Sequence, residues 1–333
     1  MESNSSSSGN GIREAYKRIL DAILALLDKG TIPWRKTWNA SAEAPANATT
    51  GKDYRGINVF ILLFERMRRG FSSRFWLTFN QAMEAAGYKR NARGAYPRWI
   101  WPGPGPDPKY GVCKGEKGTT IVFFEWREKR QRDPETGEET ARRYPVLKHF
   151  TVFNLDQVDG IPAPAEPEAN GAALNPSESA EALSRWNGAP KVTHDGSGRA
   201  CYSPRFDLIT MPARETFESA EAYYATLFHE FAHSTGAASR LNRDGIVNLD
   251  SFGSHQYSKE ELIAEFGAAF LCAAAGIANE STTENSAAYI ASWRQRLTDN
   301  PHWIPNAAAA AQKAADYILA RASALQQLQQ EGN

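Results

Sequence analysis

Leu227-Phe228-His229-Glu230-Phe231-Ala232-His233-Ser234-Thr235-Gly236 is an H-E-x-x-H motif set in an apolar helical pattern. On an α-helix, residues four apart share a face, so His229 and His233 can both offer an imidazole nitrogen to one metal ion. Glu230 then stands beside that metal, where a carboxylate can take a proton from activated water and pass it to a leaving amine. The pattern implies the chemistry of a zinc peptidase. Its surroundings agree. Ser219 and Glu221 suit a helix start, Tyr223, Tyr224, Leu227, Phe228 and Phe231 give an apolar body, and Gly236 suits the end. The plainer alternative, two solvent-facing histidines on an amphipathic helix, leaves a second feature unexplained.

That feature is the helical pattern Tyr257-Ser258-Lys259-Glu260-Glu261-Leu262-Ile263-Ala264-Glu265-Phe266. Ser258 suits an N-cap, and Glu261 and Glu265 lie one turn apart on one face. One carboxylate can bind metal while the other orients a ligand histidine from behind. Several gluzincin families place the ligand first in such an E-x-x-x-D/E pair, which favours Glu261, with Glu265 behind it or as the alternative ligand. Against this, Ser258-x-x-Glu261 also reads as a capping box, which would occupy Glu261 at the helix N-terminus. Zinc is the default for two imidazoles and one carboxylate, and manganese or cobalt fits the same donors. His255 and Tyr257 are lesser candidates for a catalytic role, and His194 reads as an ordinary polar residue.

A chain of 333 residues is long enough for two ordinary domains, and 42% hydrophobic residues can bury a core in each. The apolar runs fall short of a bilayer span, and the Ser-rich start carries no apolar leader, so no membrane association is expected and the expected compartment is the cytoplasm. Cys113, Cys201 and Cys272 are too few and too scattered for a disulfide framework or a thiolate zinc site. The formal net charge of zero hides an asymmetry. Residues 1–160 hold 26 Lys and Arg against 18 Asp and Glu, a net of +8; residues 161–333 hold 12 against 20, a net of −8. A basic half attracts polyanions, of which nucleic acid is the commonest in a cytoplasm. Two oppositely charged domains that dock would show the same asymmetry.

The expected class is α+β in two domains. Residues 1–10 read as disordered, 11–159 as a basic domain, 160–179 as a linker rich in Ala, Pro, Glu, Asn, Ser and Gly, and 180–328 as the metal-binding domain. In the basic domain, Ile12 to Leu27 has a helical period, Val59 to Met67 reads as a helix, Thr78 caps another at Asn80 to Ala86, and Gly87 to Tyr110 reads as an insertion. Thr119 to Trp126 and Tyr144 to Asn154 read as strands about a polar tip. Basic residues interleaved with aromatics suit sequence-tolerant single-strand binding, and the best placed are Trp34, Arg35, Lys36, Trp38, Tyr54, Arg55, Lys114 and Lys117. Any one of these aromatics is as readily a core residue. In the second domain, Ala180 to Asn187 reads as a helix, and Lys191 to His194, Ala200 to Pro204 and Asp207 to Pro212 as strands. Leu208 to Pro212 is the expected edge strand for an extended peptide.

These residues resemble a known family. Ile32-Pro33-Trp34 with Trp38, Asn47 with Thr50-Gly51-x-x-Tyr54-Arg55-Gly56-Ile57-Asn58, Trp76-Leu77-Thr78-Phe79, Lys114-Gly115-Glu116-Lys117-Gly118 and Val152-Phe153-Asn154-Leu155-Asp156-Gln157 resemble the N-terminal domain of the ArdC-type antirestriction proteins, also found in TraC-type primases. The metal motif, Ser239-Arg240-Leu241-Asn242-Arg243 and the Glu260 to Leu271 helix resemble the zincin-like metallopeptidase domain that accompanies it. The resemblance implies a plasmid-encoded protein of conjugation that binds single-stranded DNA and protects incoming DNA from restriction. A working protease that acts on a restriction enzyme or another host protein is the alternative.

Overall fold

The computed structural model describes residues 44–88, 111–132, 139–164, 176–248 apart from 195 and 197 and from 249 onward, 255–277 and 287–331, and part of 17–28. Residues 1–16, Trp34 to Trp38, most of the segment 87–110, the hairpin tip at 133–138, the linker residues 165–175 and the side chain of His255 lie outside the described residues. The chain forms two compact units, one of residues 1–19, 45–54 and 61–165, the other of 20–44, 55–60 and 166–333. Helices and sheets are mixed, as expected for an α+β chain. Among the described residues no helix is long and apolar enough to cross a membrane.

The first unit is built on a sheet ordered β1-β2-β5-β4. β1 (Ala46–Asn47) lies parallel to β2 (Phe75–Thr78), which pairs antiparallel with β5 (Glu139–Asn154), itself antiparallel to β4 (Thr119–Arg132). β3 (Gly111–Val112) pairs with β6 (Val158–Asp159). Helix α1 (Ile57–Arg69) closes with Arg66, Arg68 and Arg69 in its last turn, where cations meet the negative end of the helix dipole. Gly70 then takes a left-handed φ of 70°, and the Phe71 amide returns to the Arg66 carbonyl at 2.9 Å. Helix α2 (Phe79–Ala85) starts one residue before the expected span. Its cap is Thr78, whose hydroxyl accepts from the Gln81 amide while the Gln81 side chain accepts from the Thr78 amide.

Several residues that carry the family resemblance hold this unit's turns. Asn47 Oδ1 accepts from the Thr49 and Thr50 amides, both at 3.0 Å, fixing the turn that ends at Gly51. Glu116 takes hydrogen bonds from Arg69 and Gln157, each at 2.6 Å, and the Lys117 carbonyl takes another from Arg69 at 2.6 Å, so the turn from Lys114 to Gly118 is tied to α1. A Cβ at Gly118 would stand 2.4 Å from Thr151 Cγ2, which leaves only glycine at that close approach. Trp76, fully buried, and Tyr54, 8% exposed, pack with Leu62, Ile121 and Val152.

In the second unit, helix α3 (Pro176–Ser184) begins four residues before the expected span, with Pro176 at its first position, where a missing amide costs nothing. β7 (Lys191–His194), β8 (Cys201–Ser203) and β9 (Leu208–Met211) form a sheet ordered β7-β9-β8. β9 therefore lies between a parallel and an antiparallel neighbour, so the segment expected at the edge is the central strand. Its alternation explains the placement, since Ile209 and Met211 are both fully buried. The helices are α4 (Ala220–Ser234), the short α5 (Asp244–Val247), α6 (His255–Ala275), α7 (Ala287–Asp299) and α8 (Trp303–Glu331). α6 is apolar on most of its surface and α8 offers a buried stripe of Ala307, Ala308, Ala311, Ala314, Ala315, Ile318 and Ala322, which lets the two pack closely.

Candidate metal centre

α4 presents the two histidines. Ser219 caps it, its hydroxyl accepting from the Ala222 amide at 3.1 Å. At the other end two arginines add to the bonds on the last-turn carbonyls: Arg240 Nη1 donates to the Ser234 carbonyl at 3.0 Å and Arg243 Nη2 to that of Ala232 at 2.7 Å. Arg240 also holds Asp207 through two bonds of 2.7 Å. Gly236 stands beneath Arg243, where a Cβ would meet Arg243 Nη2 at 2.9 Å and Ile246 Cγ1 at 2.5 Å. Gly236 is thus required by close approach, two residues beyond the helix end.

α6 crosses α4 at a contact only glycine allows, because a Cβ at Gly267 would lie 2.7 Å from Ala232 Cβ. α6 begins at His255, so Ser258 is inside the helix and no capping box with Glu261 forms at its start. The Glu261 carboxylate instead faces the histidine pair. Its Oε2 lies 3.6 Å from His229 Nε2, its Oε1 lies 3.5 Å from His233 Nε2, and the two Nε2 atoms are 3.1 Å apart. Tetrahedral bonds of about 2.0–2.2 Å to one ion separate their donors by roughly 3.4 Å, so these three groups fit a divalent metal. Among the described residues they are the group of three donors that converges in this way.

Behind His233 stands a residue the spacing did not indicate. Glu260, 4% exposed, places Oε1 3.6 Å from His233 Nδ1, a buried nitrogen without a hydrogen-bond partner in range. Arg243 holds the same carboxylate, Nη2 to Oε1 at 2.5 Å and Nε to Oε2 at 3.1 Å, and donates through Nη1 to Thr235 Oγ1 at 2.7 Å. Glu265, expected in this role, is buried one turn further along α6. In the sequence, Gly236 and Arg243 just after the metal motif were the available signal for this arrangement, but nothing local pairs Arg243 with Glu260.

The electrostatics follow from burial against charge. Burial alone would lower both histidines, but Glu261 and Glu230 outweigh it and raise His229, and with Glu260 added they hold His233 well above its ordinary 6.5. Burial would raise Glu261, but the two histidines hold it far below the usual carboxylate range. Glu230 is buried beside the pair. Burial, with the charge and hydrogen bond of Glu261, pushes the Tyr257 phenol up. His194 lies apart, its Nε2 3.1 Å from the Tyr223 hydroxyl.

The residues expected to bind DNA are distributed differently. Tyr54 is a core residue, its hydroxyl 3.5 Å from the Trp76 carbonyl and 3.3 Å from Asn47 Nδ2, so its ring is not an exposed stacking surface. Arg55 pairs with Asp316 inside the second unit. Lys114 and Lys117 are exposed on the turn that Arg69 and Glu116 fix.

Two histidines and a glutamate from crossed helices, beside a small mixed sheet, define a zincin-like metallopeptidase domain, and residues 178–310 match the family described as zincin-like metallopeptidase. Residues 13–153 match the N-terminal domain of anti-restriction factor ArdC. The chain belongs to the ArdC antirestriction family. It is 37% identical to the metal-free structure of the antirestriction ArdC protein from plasmid R388, with a TM-score of 0.65 over 92% of this chain and 97% of that one. The Mn(II)-bound structure of that protein matches at 34% identity and the same TM-score and coverage. An uncharacterized protein of Sinorhizobium fredii, y4eC, is 31% identical over 96% of both chains. A DNA primase TraC of Escherichia coli is 36% identical over 92% of this chain, which spans only 20% of that primase.

Proposed function

We propose that this chain binds single-stranded DNA through its first unit and protects incoming plasmid DNA from host restriction in the bacterial cytoplasm. The second unit carries a divalent metal in a centre of peptidase type. The observation that carries the reading is the likeness to the antirestriction protein of plasmid R388, 97% of whose chain is covered. The net of +8 in residues 1–160 supports a polyanionic partner.

His229, His233 and Glu261 would hold the metal, Zn2+ by donor preference and Mn2+ or Co2+ with the same set. Such an ion supplies a Lewis acid that polarises a carbonyl and acidifies water. Glu230, buried next to His229, is placed to accept a proton and return it to a leaving group. Glu260, fixed by Arg243, keeps the His233 ring turned so that Nε2 faces the Glu261 carboxylate.

A second reading follows from the intact donor set: an active protease that cleaves a restriction enzyme or other host protein, with DNA binding as delivery. Glu230→Ala separates the two. Antirestriction in a plasmid-transfer assay that persists in Glu230→Ala, with single-strand binding unchanged, supports protection by DNA binding. Loss of antirestriction with binding intact transfers the function to proteolysis. Full-length chain that fails to bind fluorescent single-stranded DNA at low salt removes the first reading.

A further inference from the structure

The face of the β4–β5 hairpin changes character along its length. The register pairs Thr119 with Val152, Ile121 with Phe150 and Phe123 with Lys148, and strand alternation sets these six residues on one face. Thr119, Ile121 and Val152 are buried in the core. One step further out, Phe123 is 45% exposed and Phe150 is 42% exposed, their ring centroids 5.5 Å apart and their planes at 84°. Lys148, also exposed, occupies the position opposite Phe123. Single apolar residues on a surface need no explanation, but a packed aromatic pair left in water at the end of a core face does.

Charge selects the occupant. β4 and β5 together hold seven Lys and Arg against three Asp and Glu, and the turn leading into β4 adds exposed Lys114 and Lys117. A surface that is aromatic and cationic together suits a polyanion with flat faces, and sheet aromatics are a general platform for unpaired bases. The edge-to-face packing covers one edge and one face of the pair, so each ring keeps a face for a base. We propose that Phe123 and Phe150, with Lys148 beside them, form a stacking platform for the bases of a single-stranded nucleic acid. The proposal rests on the single-strand reading above and locates that contact on the exposed outer end of this sheet face rather than on the buried Tyr54.

The test uses the full chain and a fluorescent oligothymidylate, with anisotropy read at several salt concentrations. Phe123→Leu and Phe150→Leu keep the apolar volume and remove the ring; Phe123→Trp and Phe150→Trp keep an aromatic face. Thermal melts establish that each variant is folded, which is expected at positions this exposed. Each Leu variant should weaken binding about tenfold and the double variant about a hundredfold, while the Trp variants bind as the parent does. Lys148→Gln should reduce the slope of log affinity against log salt by about 0.7. A double Leu variant that binds as tightly as the parent overturns the platform and leaves the single-strand reading standing. Parent protein that does not bind the oligonucleotide overturns that reading and the platform with it. Leu variants that lose self-association in sedimentation, with DNA affinity unchanged, assign the pair to a second copy of the chain and also overturn the proposal.

Discussion

Glu260 reaches His233 from behind: its Oε1 stands 3.6 Å from Nδ1, on the side of the ring opposite Nε2 and Glu261. Arg243 holds the carboxylate there, so the proposed ligand His233 on α4 would take its orientation from α6 through a residue that need not touch the metal.

Glu260→Gln should therefore lower metal affinity by about ten- to a hundredfold, the range usual for partners that orient a metal-binding histidine. Glu261→Gln should lower it much further. Titration calorimetry with Mn2+ or Zn2+ compares the two, and equal affinities in Glu260→Gln and the parent would show that Glu260 does not orient the ring.

Protons would compete with a metal bound at this centre. The raised histidines contribute stability to the metal-free fold that is complete below their ordinary 6.5 and is lost as pH rises through their higher folded values. The lowered Glu261 contributes stability present above its ordinary 4.5 and lost as pH falls through its depressed folded value. As pH rises above the ordinary 6.5 of the histidines, the melting temperature of metal-free protein should fall. Added metal should raise it more at higher pH, since fewer protons must be displaced. Calorimetric melts with and without a chelator measure both trends.

The helix crossing leaves no room at Gly267. Gly267→Ala puts a methyl group 2.7 Å from Ala232 Cβ and should cost about 1–3 kcal/mol by overpacking, with a parallel loss of metal affinity as α6 is pushed from α4. Ala232→Gly in the same chain should return part of both. A double-mutant cycle by chemical denaturation reads the coupling, and additive effects would show that the two positions do not meet.

Tyr54→Phe should cost about 1 kcal/mol through the lost hydroxyl contacts with Trp76 and Asn47. Single-strand affinity should stay within about twofold of the parent, because the phenol is held in the core. A large loss of affinity in a normally stable variant would return Tyr54 to the DNA surface.

Local features were legible in the sequence and long-range ones were not. The 191–194 strand, the Ser219 cap and the Thr78 cap follow from nearest neighbours along the chain, and all three are present. The i, i+4 spacing of His229 and His233 suffices to pair their nitrogens. Sheet order is different, because Leu208 to Met211 has the same alternation whether it lies at an edge or in the centre. Ser258 has the chemistry of a cap, yet the helix starts at His255 and Ser258 is buried inside it. Glu260 could not be chosen over Glu265 by pattern, since its position depends on Arg243, seventeen residues earlier in the chain.

The contact between Gly267 and Ala232 also bears on the thermodynamics of metal uptake. Because close packing sets the distance between α4 and α6, the backbone ordering that brings the three donors together is complete when the domain folds. An ion bound there would owe that ordering nothing, and its affinity would be set by dehydration, proton release and the donors' own side-chain freedom.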